Sequence, residues 1–175
     1  MKSLHVSIEG ESLRTCLSAI FGIWFCVWIY AALHDQYLIR ICPEHFTVWL
    51  YQILFTKNFT LLAIIYAFGA SITPGLVLGL SLYIAGRLFS RPKVPIIRLI
   101  LSTGRVMLSV EAVALISGII AWRLKTGIYA DWLYPDYSPG IAITQTMQIT
   151  AYLAGMVFSG VLIWHTWNAR HQEAR

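Results

Sequence analysis

Apolar residues run almost unbroken through four stretches of the chain, residues 14–33, 61–86, 96–122 and 143–167. Each is long enough to cross about 30 Å of hydrocarbon, which takes about 20 residues of helix. Helix is the conformation lipid forces on such a stretch, because a free backbone N–H finds no partner there. The pattern therefore predicts an all-α integral membrane protein, a four-helix bundle occupying residues 1–175 as one transmembrane domain. The first stretch is longer than the apolar core of a signal peptide and carries Phe21, Trp24, Phe25 and Trp28. It reads as a retained span, with cleavage after Ala31 or Ala32 as the alternative.

The polar intervals differ in character. Residues 87–95 form a short basic connection. Residues 34–60 and 123–142 form two longer connections on the opposite side, both rich in aromatic residues. Cys42-Pro43-Glu44 has the composition of a helix start, since proline fits the first turn and an acidic side chain there meets the helix dipole. The apolar run over residues 46–55 would extend only about 15 Å as helix. That is too short to cross, so a short helix lying at the outer interface is expected. Tyr129, Trp132, Tyr134 and Tyr137 suit the headgroup level. These two connections read either as interfacial anchors or as a packed outer cap.

Composition supports this class. Hydrophobic residues make up 58% of the chain and charged residues only 12%, against about 25% charged in a soluble domain. The net charge of +5 arises largely from Arg87, Arg91, Lys93 and Arg98. In a membrane protein such a cluster sets orientation, and nucleic acid is not an expected partner. Eight lysines and arginines fall on the side of the termini and the second connection, four on the other. Both termini are therefore expected in the cytoplasm. Cys16, Cys26 and Cys42 are odd in number, and no CxxC spacing occurs. Cys42 is the cysteine expected to meet solvent.

His34-Asp35-Gln36, followed by Pro43-Glu44-His45-Phe46-Thr47, resembles the first-loop motif H/N-D-Q … P/V-E-Y/H-F-T of a family of small four-span bacterial membrane proteins. The glycines of the second span, the turn Arg91-Pro92-Lys93 and the segment Ala151-Tyr152-Leu153-Ala154-Gly155 are similar to that family as well. Ser71-Ile72-Thr73-Pro74 departs from the aromatic-rich A-T-W-W expected there. The resemblance implies the four-span topology and a bacterial inner membrane. It implies no reaction.

Three sets of residues carry candidate chemistry. His34, Asp35, Gln36, Glu44 and His45, with Asp131 and Asp136 on the same side, could bind a partner, a ligand or a divalent ion. The spacing matches no known metal motif, and a purely architectural use is open, with Glu44 pairing to Arg40. Arg105 and Glu111 lie inside the third span, where ionisable groups are costly unless paired or hydrated. They are offset by about 9 Å along the helix and should not pair with each other. Thr144, Gln145, Gln148 and Thr150 are candidate partners on the fourth span. Glu111 then serves either in a clamp between spans three and four or in a relay or ligand site. Pro74 should break the second span, and Gly69, Gly75 and Gly79 offer a close packing face toward span three or a partner chain.

No phosphate-binding loop, nucleophile elbow or catalytic triad pattern is present, and no cofactor is called for. The leading expectation is a non-catalytic accessory or scaffold subunit. It would bind a membrane partner, or a second copy, through outer loops and glycine faces. The alternative is a transport or proton-relay protein using Glu111. A metal-dependent enzyme with the outward His/Asp/Glu set is third.

Overall fold

The computed structural model describes residues 7–8, 11–50, 56–89, 91–136 and 138–172. Four long helices dominate: α1 (Leu13–Ile41), α2 (Phe59–Arg87), α3 (Ile96–Leu124) and α4 (Pro139–Gln172). All four are long and apolar enough to cross a membrane. The fold is an all-α four-helix bundle. A two-residue hairpin, β1 (Ser7–Ile8) and β2 (Glu11–Ser12), precedes α1.

Local sequence sets the helix ends. Ser12 accepts a hydrogen bond from the Thr15 amide, and Asn58 accepts one from Leu61, so each satisfies a donor left open in a first turn. Lys125 stops α3 in the left-handed region, at φ 56°. Pairing is mainly α1 with α2 and α3 with α4. The core joins Ile23 and Val27 of α1, Leu78 and Leu82 of α2, and Leu99, Met107 and Val110 of α3. A second cluster at the other end joins Leu38, Ile39, Phe46, Leu62, Tyr66 and Met147.

The structure corrects several expectations. The first helix does not stop at Leu33 but continues for two more turns to Ile41, so His34, Asp35 and Gln36 are helical. The expected interfacial helix is a single wide π-helical turn, His45–Trp49. It folds inward, with His45 and Phe46 buried. The remainder of that apolar run, residues 51–55, lies outside the described residues, as does Tyr137. Pro74 does not break α2, which runs through it as one helix. Pro74 faces outward.

The glycine face packs on α1, not on span three. A Cβ at Gly79 would stand 2.7 Å from the Ile20 carbonyl oxygen, and one at Gly75 would stand 2.6 Å from the Trp24 ring. Gly69 has open space around it. Cys42 is buried rather than solvent-facing, and Cys26 is the more open cysteine.

The two long connections each settle on α4. Tyr134 donates or accepts at Thr146 over 2.8 Å, and Tyr129 does so at Thr150 over 2.8 Å. The Gln145 amide donates to the Leu133 carbonyl. From the other connection, Cys42 packs against Gly140.

At the opposite end, Arg170 is 1% exposed and donates to the carbonyls of Ala85, Leu88, Arg91 and Pro92. It thereby satisfies carbonyls that the end of α2 leaves open. Glu11, also buried, meets Arg87 at 2.9 Å and Lys93 at 2.6 Å. Burial raises its carboxyl pKa, but the hydrogen bonds and charges of Lys93 and Arg87 outweigh this and hold it below the usual range.

Candidate functional site

The main polar centre joins α1 to α3. Tyr30, His34 and Tyr37 fall four and three residues apart, so they share one face of α1. Glu111, one residue past the middle of α3, meets that face. His34 Nδ1 stands 2.8 Å from Glu111 Oε2. Tyr37 donates its hydroxyl to Glu111 Oε1, and its oxygen lies 2.6 Å from His34 Nδ1.

Proton positions follow from this geometry. The phenol has one hydrogen and gives it to Glu111, so toward His34 its oxygen is an acceptor. Nδ1 therefore carries the hydrogen, shared between the carboxylate and the phenol oxygen. A neutral imidazole in this tautomer presents a bare lone pair at Nε2. His34 is only 5% exposed, and its Nε2 is buried without a hydrogen-bond partner. The Tyr30 hydroxyl is buried as well and interacts with Glu111, with its ring centroid 5.7 Å from that of His34.

Asp35 adds a second acid, 6% exposed. It follows His34 directly in α1. Among the described residues, no lysine or arginine lies within ion-pair distance of Glu111 or Asp35. The Glu111 side chain retains 22% of its exposure, and Tyr152 is half exposed. Glu111 and Tyr152 are thus partly accessible from outside the bundle.

The other candidates separate from this centre. Gln36 and Arg40 tie α1 to the start of α2: the Gln36 amide donates to the Thr60 carbonyl over 3.1 Å, and Arg40 donates to the Thr60 hydroxyl over 3.0 Å. Arg40 also holds the Gln36 carbonyl and side chain, so the expected Arg40–Glu44 pair is replaced by this link. Glu44 is exposed and accepts from the Cys42 thiol at 3.5 Å. Asp131 and Asp136 are exposed on the last connection, and Arg105 is exposed on α3. Glu111 does not engage Gln145, Thr144 or Thr150, because their hydroxyls and amide are committed elsewhere. The expected clamp between spans three and four is a link between α1 and α3.

His45 forms a separate buried site near the start of α4. Its Nδ1 lies 2.7 Å from the Thr144 hydroxyl, which itself donates to the Gly140 carbonyl at 3.0 Å. Nδ1 is therefore the protonated nitrogen here too. Burial lowers the His45 pKa to about 4, against an opposing contribution from Gln148. No group of three His, Cys, Asp or Glu placed to hold a metal ion occurs among the described residues.

Sequence reasoning singled out His34, Asp35 and Glu111 but missed Tyr30, Tyr37 and Tyr152. The spacing of Tyr30, His34 and Tyr37 was the available signal. Comparison of the chain with protein-family models, curated proteins and solved structures finds no match.

Proposed function

We propose that this chain is a ligand-binding and proton-exchanging membrane protein, working at the centre formed by His34, Tyr37 and Glu111. We further assign it to a bacterial inner membrane with both termini in the cytoplasm. One observation carries the reading: an imidazole 95% buried in an apolar bundle, oriented by a carboxylate through Nδ1, with Nε2 left open. A buried polar atom without a partner costs about 1–3 kcal/mol. A purely structural clamp gains nothing from that cost, whereas a base or ligand-binding group requires the vacant nitrogen. The carboxylate fixes the tautomer and orientation of the ring through Nδ1, as an orienting acid does in general-base catalysis.

Support for the accessory-subunit reading is thinner. Five of the residues meant to face a partner are used within the chain, since Gly75 and Gly79 pack on α1 and His34, Asp35 and His45 are buried, while Glu44, Asp131, Asp136 and Gly69 stay open.

The test is proton flux. Full-length protein is reconstituted into vesicles holding an internal pH dye, and a potassium gradient with valinomycin sets the potential. Flux above that of protein-free vesicles is expected for wild type and for Arg105→Gln. Loss of that excess is expected for His34→Phe and Glu111→Gln. Wild-type flux equal to that of empty vesicles, or full flux in both centre variants, overturns the reading.

A further inference from the structure

The unmet hydrogen-bonding capacity of the centre says what it would take. His34 Nε2 offers a lone pair, and the Asp35 carboxylate is buried close by. The Tyr30 hydroxyl, engaged with Glu111, keeps its oxygen available as an acceptor. The donors that exist are already spent: Nδ1–H and the Tyr37 hydroxyl both go to Glu111. The centre is thus rich in acceptors and short of donors. It also holds Glu111 against His34, with Asp35 next to His34 in the chain, and among the described residues no lysine or arginine pairs with either acid. In a low-dielectric interior such a site favours positive charge strongly.

Two phenol rings, those of Tyr30 and Tyr37, flank His34 with centroids 5.7 Å and 5.2 Å from its own. Aromatic faces attract cations within about 6 Å. Glu111 and Tyr152 are partly accessible from outside the bundle, so a ligand with an apolar body can arrive from the hydrocarbon.

Resting on the reading above, we propose that the ligand of this centre is a protonated amine with an apolar substituent. Its ammonium N–H groups would donate to His34 Nε2, Asp35 and the Tyr30 oxygen, and its charge would be balanced by the two acids.

The test compares three probes of one shape on the full chain in detergent, by titration calorimetry. They are benzylammonium, benzyltrimethylammonium and benzyl alcohol. The first two share a charge, but only benzylammonium has N–H donors. The expected result is saturable benzylammonium binding at least about tenfold tighter than either other probe, since the lost donors leave buried acceptors unmet. Asp35→Asn and His34→Phe should each weaken it by at least about tenfold, and Arg105→Gln should leave it unchanged. Equal affinity for the trimethyl probe, or no saturable benzylammonium binding to wild type, overturns the proposal. So does full affinity in Asp35→Asn. Proton flux that persists without amine binding sinks the amine assignment alone. Absence of both removes the relay reading with it.

Discussion

His45 shows how much one residue depends on where the fold places it. In sequence it belongs to the same motif as His34, directly before a bulky apolar run. In the structure the two differ in kind. His34 has a carboxylate partner, whereas His45 has only the Thr144 hydroxyl and Gln148 beside it. Burial therefore decides the charge of His45, and its pKa falls from 6.5 to about 4. The unfolded chain takes up this proton first, so folding stability from His45 is intact above about pH 6.5. It declines as the pH falls toward 4. Taken alone, the shift is worth at most about 3 kcal/mol. Thermal unfolding in detergent from pH 7.5 to 4.5 checks this. Wild type should lose stability through that window, and His45→Gln should show a visibly flatter acid limb. Identical acid limbs would mean that other groups, not His45, govern it. The Thr144 contact itself was not legible in sequence, because it joins residues 99 positions apart.

At the scale of elements, the apolar runs revealed all four helices, since nothing else in a lipid environment satisfies so many backbone groups. The end of α1 was hidden for a specific reason. His34-Asp35-Gln36 interrupts the apolar run and reads as a loop, yet the His34 side chain is met from another helix by Glu111 and the helix continues. The glycines were legible as a packing face, but the partner helix was not, because small-residue spacing does not say what approaches. The contacts now separate them. At Gly79 the obstacle is the Ile20 backbone, which cannot swing aside, and a Cβ would also stand 3.0 Å from its Cα. Gly79→Ala should push α1 from α2 and cost about 1–3 kcal/mol, the usual toll of overpacking. Gly69 is open, so Gly69→Ala should be neutral or stabilising by up to about 1 kcal/mol through helix propensity. Melting temperatures of the two variants should move in opposite senses. A common shift would mean that helix propensity, not helix contact, governs both sites.

On the scale of the whole molecule, ion pairs and a buried arginine tie the chain at one end, and the polar centre lies toward the other. Glu11 binds Arg87 and Lys93, while Arg170 holds the carbonyls that end α2. The N-terminal hairpin and the C-terminal turns of α4 therefore meet at the same end, together with Arg91, which stacks on Trp167 at 4.8 Å. The length of α4, 34 residues, corresponds to about 50 Å against about 30 Å of hydrocarbon, so its ends project beyond any single bilayer core. Basic residues at one end resist translocation, and this end should stay in the cytoplasm. A green fluorescent reporter fused after residue 175 should then fluoresce. Alkaline phosphatase fused there should be inactive, and the same enzyme inserted beside the exposed Asp136 should be active. The reverse pattern would place the basic end outside. It would also change what the polar centre serves. His34 lies seven residues from the far end of α1, about 10 Å along the axis, whereas the basic end is about three times as distant. With the basic end in the cytoplasm, protons and cations from outside have the shorter path to His34 and Glu111, and the inner half of the bundle, packed with Ile23, Leu78, Leu82 and Leu99, forms the barrier.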